Sequence, residues 1–156
     1  MKLKVCGMKF TENMQQVAAL QPDYLGFIFY GKSKRNFEGI IPAFPKSIKK
    51  TGVFVNEYLE ILVSLAQEYQ LKAIQLHGDE AVSYINELKK HLPKVEIIKV
   101  FSIKDSFDFD VLKPYLETVD YFLFDTKGEE KGGNGVHFDW RVLEKYPFQK
   151  PFFLSG

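Results

Sequence analysis

Short apolar runs alternate with segments of helical periodicity along nearly the whole chain. An apolar run of this length that lacks alternating polar positions is typical of a strand buried on both faces of a parallel sheet. The pattern predicts seven such strands, at residues 2–6, 24–29, 52–55, 73–76, 96–101, 121–124 and 151–156.

The segments between the strands predict helices, several of which end at proline. We expect helices over residues 11–20, with Thr11 as N-cap, 57–69, from about Asp79 to Leu92, 109–116 and 139–146. The segment 39–48 contains Pro42 and Pro45 and should hold only a short or irregular helix. Helix 57–69 has an apolar face, formed by Tyr58, Leu62, Leu65, Ala66 and Tyr69.

Successive strand ends are separated by 22 to 30 residues, which is one strand and one helix per step. This repeat indicates an α/β fold, either an open doubly wound sheet or a (β/α)₈ TIM barrel. Strand one ends in Val5-Cys6-Gly7-Met8, without the glycine-rich phosphate turn of the open sheet, and this favours the barrel. We therefore predict one barrel domain over residues 1–156, truncated after strand seven, with strand eight and the last helices missing. The gene should continue for roughly 50 residues.

Composition excludes several classes of function. The chain has 156 residues, of which 46% are hydrophobic, and its net charge is only +1, so no charge field indicates nucleic acid. No apolar run approaches the roughly 20 residues that a membrane span needs. The start of the chain does not resemble a signal peptide, and we expect a cytoplasmic protein. A single cysteine, Cys6, excludes an internal disulfide, and no histidine pair has the spacing of metal ligands.

The stretch from Tyr121 to Trp140 carries the first candidate chemistry. Its strand ends on Asp125, and a glycine-rich loop at residues 132–135 follows. Carboxyl ends of parallel strands form the face where barrels bind ligands, so Asp125 is placed for chemistry. The loop is at least a turn that needs unusual backbone angles, and it could close over a substrate as a lid.

Six motifs resemble the phosphoribosylanthranilate isomerase family, in its order and over the whole chain. They are Val5-Cys6-Gly7-Met8, Lys32-Ser33-Lys34-Arg35, Gln75-Leu76-His77-Gly78, Phe124-Asp125-Thr126, the loop at 132–140 and Leu154-Ser155-Gly156. The resemblance implies a (β/α)₈ barrel of tryptophan biosynthesis. It also implies that the chain converts N-(5-phosphoribosyl)anthranilate to 1-(2-carboxyphenylamino)-1-deoxyribulose 5-phosphate by an acid–base Amadori rearrangement, without metal or organic cofactor.

The resemblance also implies roles for individual residues. Asp125 would be the general acid and Cys6 the general base, while Arg35, His77 and Gly156 would bind substrate, Gly156 next to the phosphate. For Asp125 to hold a proton, we expect burial to raise its pKa above roughly 3.9. Arginine occurs only at Arg35 and Arg141, and the planar fork of Arg35 suits a carboxylate such as that of anthranilate. The family usually has proline where Lys34 stands.

Other interpretations remain. Taken singly, Cys6 fits a buried core position, Asp125 a loop anchor that accepts from backbone amides, and Arg35 a solvated surface. A non-catalytic truncated barrel could bind a ligand or a partner through its exposed strand edge. Indole-glycerol-phosphate synthase, another phosphosugar barrel, uses lysine and glutamate at strand ends, which this chain lacks at the matching positions. The expected partner is a small phosphosugar, not nucleic acid or membrane, with the protein as monomer or homodimer.

Overall fold

The computed structural model describes residues 1–104, 106–126 and 140–155. It contains seven strands: β1 (Lys4–Cys6), β2 (Tyr24–Ile28), β3 (Lys49–Phe54), β4 (Ala73–Leu76), β5 (Glu96–Ile103), β6 (Tyr121–Thr126) and β7 (Phe152–Leu154). Three α-helices and two 3₁₀ helices lie between them: α1 (Thr11–Ala19), α2 (Leu59–Glu68), α3 (Val82–His91) and the 3₁₀ helices Phe109–Tyr115 and Trp140–Lys145.

The strands form one sheet in the order β1 to β7, and every neighbouring pair is parallel. The sheet curls until its two sides meet across the interior. The rings of Tyr24 on β2 and Phe153 on β7 pack edge to face with centroids 5.3 Å apart, and the Lys2 ammonium donates to the Tyr121 hydroxyl on β6. The predicted (β/α) barrel fold is therefore confirmed, with seven strands among the described residues.

Two hydrophobic clusters lie on opposite faces of the curled sheet. The larger lies between sheet and helices and includes Leu62, Ala66, Ile85 and Leu88 from α2 and α3. The smaller fills the barrel interior and consists of Tyr24, Ala73, Ile98, Val100 and Leu123. Because both faces are covered, β2 and β4 are buried at every position, as their continuous apolar runs predict.

Polar contacts close the amino-terminal end of the barrel. The Tyr24 hydroxyl donates to Glu96 Oε2 at 2.9 Å, and Lys49 Nζ lies 2.5 Å from Glu96 Oε1. Burial, together with the nearby Glu96 carboxylate, raises the pKa of Tyr24. This closed end lies opposite the carboxyl ends of the strands, which leaves that other end for a ligand.

The helices differ from the sequence prediction in their caps, bounds and type. The helix expected from about Asp79 begins at Val82, and the described part of the helix expected at 139–146 is the 3₁₀ helix Trp140–Lys145. Thr11 is not the N-cap of α1, because Phe10 holds that position and no side chain caps the helix. Tyr58 precedes α2 and is 75% exposed, so it does not belong to the buried face. The predicted helix at 109–116 is a 3₁₀ helix that contains Pro114, which lacks the amide donor that an α-helix needs at an interior position.

Residues 39–48 form no helix, in agreement with the effect expected of Pro42 and Pro45. In the part of the chain that the structure describes, no helix is long and apolar enough to cross a membrane.

Candidate active site

Three predicted site residues lie on the interior face of the barrel at its carboxyl-terminal mouth. Cys6 ends β1 on the same face as Lys4, whose sheet partner Tyr24 belongs to the interior cluster. Asp125 lies two residues after Leu123 on β6 and therefore on the same face of the sheet. Leu123 also belongs to the interior cluster. His77 follows β4 on the face of Ala73. The period of two along each strand thus directs the three side chains toward one opening.

Asp125 and His77 are in contact across the mouth. Asp125 Oδ2 lies 3.4 Å from His77 Nε2, and the two side chains are only 8% and 12% exposed. The Thr126 amide donates to Asp125 Oδ1 at 3.1 Å. When His77 is protonated, this contact is an ion pair in a largely desolvated position.

The surroundings of Asp125 lower its pKa, contrary to the sequence-based expectation. Burial alone raises the pKa of Asp125, as expected. The hydrogen bond and charge of His77, the Ser155 hydroxyl and the Thr126 amide all favour the carboxylate, and together they outweigh burial. The expectation of a raised pKa was wrong because it counted desolvation and not the hydrogen-bond donors around the carboxylate.

Replacing His77 by glutamine should raise the pKa of Asp125. The variant loses the imidazolium charge while burial persists, so Asp125 should remain protonated to higher pH than in the wild type. Carboxyl-carbon NMR titration measures this directly. His91→Gln is the matched control, because His91 lies on α3 and is half exposed. An unchanged Asp125 titration in His77→Gln would show that His77 does not set this pKa.

Cys6 occupies space that the neighbouring strand leaves open at Gly26. A Cβ atom added to Gly26 would lie 2.7 Å from Cys6 Sγ and 3.1 Å from Lys4 Nζ. The thiol and the Lys4 ammonium therefore both lie against the same glycine.

Gly26→Ala should displace Cys6 and lower kcat. The added methyl would overlap Cys6 Sγ, and a displacement of about 1 Å can cost on the order of 100-fold in rate. Gly31→Ala is the control, because a Cβ there meets nothing within 4 Å. Steady-state kinetics with circular dichroism as a folding check compares the two. Equal kcat values would mean that Cys6 needs no fixed position.

Arg35 reaches the mouth from the loop after β2. A Cβ atom on Gly7, whose φ is +84°, would lie 2.7 Å from Arg35 Nη1, so the guanidinium packs on the backbone next to Cys6. The loop is tied back to β2, because the Phe37 amide donates to the Ile28 carbonyl at 2.8 Å. The structure thus places Arg35 against Gly7, the residue directly after Cys6.

Two predicted elements lie outside the described residues. Gly156, predicted to bind substrate, is one of them, and the glycine-rich loop at 132–135 with its predicted lid is the other. Both stay predictions.

A buried ion pair that was not predicted from the sequence lies behind His77. Lys99 Nζ on β5 lies 3.3 Å from Glu80 Oε2, and the two side chains are 3% and 2% exposed. A signal was present, because Lys99 is a lone charge inside the apolar run of β5. Among the described residues, no three His, Cys, Asp or Glu side chains lie close enough together to hold a metal ion.

The parallel barrel with ionisable side chains gathered at its carboxyl-terminal mouth is the architecture of a (β/α)-barrel enzyme. A family model described as N-(5'phosphoribosyl)anthranilate (PRA) isomerase matches residues 3–156. The N-(5'-phosphoribosyl)anthranilate isomerase of Parabacteroides distasonis is 42% identical over 162 residues, which cover 100% of this chain and 72% of that protein. The chain belongs to the N-(5'-phosphoribosyl)anthranilate isomerase family, and the resemblance predicted from its six motifs is confirmed.

Solved structures agree with this assignment. Phosphoribosyl anthranilate isomerase from Thermotoga maritima superposes with a TM-score of 0.81 at 29% identity, over 100% of this chain and 77% of that one. Another phosphoribosyl anthranilate isomerase was solved with reduced 1-(o-carboxyphenylamino)-1-deoxyribulose 5-phosphate. It has a TM-score of 0.65 over 100% of this chain and 86% of that one, and at 24% identity it supports the fold alone.

Proposed function

We propose that this chain converts N-(5-phosphoribosyl)anthranilate to 1-(2-carboxyphenylamino)-1-deoxyribulose 5-phosphate, the isomerisation of its family in tryptophan biosynthesis. The family match over residues 3–156 carries this proposal. The Asp125–His77 contact and Cys6, on the same interior face at the mouth, supply the two kinds of group that the reaction needs. An Amadori rearrangement requires an acid that protonates the ring oxygen bound to C1 and a base that removes a proton from the adjacent carbon, C2.

Asp125 acts as the acid, with His77 as its partner. Without substrate, the lowered pKa of Asp125 favours its ionised form over the protonated form. The proton for ring opening therefore has to be gained or shared within the Asp125–His77 pair. The substrate brings a carboxylate and a phosphate, and negative charge close to a carboxylate raises that carboxylate's pKa. Substrate binding therefore promotes protonation of Asp125. Transfer of this proton to the ring oxygen breaks the ring carbon–oxygen bond and leaves an iminium ion.

Cys6 acts as the base in the second step. Its thiolate takes the proton from C2, and the electron pair of that bond forms the C1–C2 double bond while the iminium electrons return to nitrogen. The resulting enolamine tautomerises to the ketose. The Lys4 ammonium lies with the thiol against Gly26, on the same interior face of the barrel.

Arg35 binds the anthranilate carboxylate, and His77 contacts the substrate beside Asp125. The guanidinium packs on Gly7 and is thereby held next to the base. A planar guanidinium can donate two parallel hydrogen bonds to one carboxylate. Gly156 is proposed to contribute a backbone amide to the phosphate.

Arg35→Lys should raise KM more than it lowers kcat. Lysine keeps the charge but cannot reproduce the paired hydrogen bonds, so binding of the carboxylate weakens while the bound substrate still reacts. Steady-state kinetics separates the two constants. Lys32→Gln, an exposed cation on the same loop, is the control and should leave KM unchanged. If KM in Arg35→Lys equals the wild-type value, Arg35 belongs to the solvated surface.

Growth without tryptophan tests the proposed function in cells. The intact protein should restore growth of a bacterial strain that lacks phosphoribosylanthranilate isomerase, and Asp125→Asn should not. Failure of the folded wild-type protein to restore growth would contradict the proposal. A cytoplasmic location, independence of cofactors and a monomeric or homodimeric state are part of the same proposal.

A further inference from the structure

The buried pair Lys99–Glu80 has no role in the acid–base steps, yet two charges have been removed from water to form it. Its side chains are 3% and 2% exposed, with 3.3 Å between Lys99 Nζ and Glu80 Oε2. Burying a charged pair has a large desolvation cost, which attraction offsets only when further hydrogen bonds are made. The partners of those hydrogen bonds indicate what the pair does.

Both charged groups bind the peptide groups of Gly78, the residue directly after His77. The Gly78 amide donates to both Glu80 oxygens at 3.0 Å, and Lys99 Nζ donates to the Gly78 carbonyl at 2.8 Å. Lys99 Nζ also donates to the Val100 carbonyl at 3.2 Å. The pair thus fixes the backbone on both sides of Gly78 to β5.

The end of β3 is fastened to the same turn. The Asn56 amide donates to Glu80 Oε1 at 2.9 Å, and Asn56 Oδ1 accepts from the Asp79 amide at 2.7 Å. A Cβ atom on Gly78 would overlap Asn56 Oδ1, so only glycine fits there. Charge-assisted hydrogen bonds therefore hold the turn after β4 from the strands on both sides.

His77 is the link between this turn and the mouth. Its amide donates to the Phe54 carbonyl at 2.8 Å, and its imidazole lies 3.4 Å from Asp125 Oδ2. Lys99 lies between the interior residues Ile98 and Val100 on β5, so its side chain points to the opposite face of the strand. The ion pair therefore lies on the helix side of the sheet. The pair can therefore act on the site only through the backbone that it holds.

We propose that Lys99 and Glu80 are positioning residues, which hold the His77 imidazole against the Asp125 carboxylate. This inference rests on the proposed function for its kinetic consequence. Its structural consequence, the protonation behaviour of Asp125, does not depend on that function. A pair that only stabilised the fold would leave the Asp125 titration unchanged in any folded variant.

Other ionisable groups lie near both ends of this link. Tyr84, Tyr115 and Asp79 lie near Glu80. Burial raises the pKa of Tyr84 to about 12, together with nearby carboxylates, of which Glu80 has the largest effect. At the mouth, Ser155 contacts Asp125, and Cys6 and Arg35 lie at the end of β1. None of these side chains is changed in the variants below.

The test removes both charges together, in Lys99→Met/Glu80→Gln, because a single charge left buried would destabilise the fold. Glu80→Gln alone would leave the Lys99 charge buried without its counter-charge, although the new amide oxygen could still accept from the Gly78 amide. Thermal unfolding and circular dichroism establish that the double variant is folded. Carboxyl-carbon NMR then gives the titration of Asp125, and steady-state kinetics gives kcat and KM.

Asp125 in the double variant should titrate at higher pH than in the wild type. This is the direction of the shift expected in His77→Gln. The double variant should also lower kcat by about tenfold or more, with a smaller change in KM. In a His77→Gln background, the double change should cause no further shift of the Asp125 titration, since both act through the imidazole. Lys113→Met/Asp110→Asn removes an exposed ion pair and should match the wild type.

An Asp125 titration equal to that of the wild type in the folded double variant would overturn the inference. So would a further shift of the same size in the His77→Gln background. If the double variant does not fold, Glu80→Asp, which keeps both charges but shortens the side chain that binds the Gly78 amide, is used with the same two criteria. Lys99→Arg, which keeps the charge, should retain the wild-type titration. If the double variant alters the Asp125 titration but the wild-type protein has no isomerase activity, the proposed function is refuted and the positioning role stands.

Discussion

Asp125→Asn is expected to lower kcat by at least about 100-fold while the barrel stays folded. Asparagine keeps the shape of the side chain, and its oxygen can still accept from the Thr126 amide, which donates to Asp125 at 3.1 Å. What it cannot do is deliver a proton to the ring oxygen. Asp125 is the carboxylate that contacts His77 in the mouth, so the variant leaves this pair without its acid.

Steady-state loss of substrate fluorescence measures kcat for this variant, and circular dichroism checks its fold. Asp110→Asn provides the control, because Asp110 is an exposed aspartate on the 3₁₀ helix Phe109–Tyr115. Binding of the reduced product analogue should change little, since it requires no proton transfer. A folded Asp125→Asn variant with near wild-type kcat would remove Asp125 from the reaction.

Cys6→Ser is expected to cause a loss of similar size, on the order of 100-fold or more in kcat. Thiols ionise near pH 8.5, whereas an aliphatic hydroxyl is a far weaker acid and is rarely ionised near neutral pH. Serine is also slightly smaller, so it fits against Gly26, where the sulfur already lies 2.7 Å from the position of an added Cβ. The fold should therefore survive the loss of the base.

Cys6→Ala serves as the comparison for this second variant. If the serine hydroxyl contributes nothing as a base, the two variants should have the same residual kcat. Retention of near wild-type activity in both would return Cys6 to a packing role. Alkylation of Cys6, the one cysteine among residues 1–156, should abolish activity as well.

The strands were predictable because burial on both faces leaves a direct signature in sequence. Residues Ala73–Leu76 form β4 with the bounds that their apolar run predicts, and β2 is buried from Tyr24 to Ile28. Helix termini were less predictable. Thr11 is a good N-cap by residue type, but the chain enters α1 one residue earlier, at Phe10, without a side-chain cap.

The placement of the candidate site residues was predictable from the sequence, whereas the electrostatics around them were not. Cys6 is the last residue of β1 and Asp125 the last but one of β6, and strand ends converge in any barrel, so their placement at one mouth follows from the pattern. The lowered pKa of Asp125 depends on donors from the residues after β4 and β7, whose distances only the folded structure supplies. Lys99 was visible as a charge inside the apolar run of β5, but its partner Glu80 was predicted in the first turn of a helix and instead lies on the loop before α3.

The assignment of acid and base is tested most directly with substrate deuterated at C2. Removal of the base should make cleavage of the C2 bond limiting, so Cys6→Ser should show a large primary isotope effect on its residual kcat. Removal of the acid should make ring opening limiting, so Asp125→Asn should show an isotope effect close to one. A large effect in Asp125→Asn with none in Cys6→Ser would contradict the roles assigned to both residues.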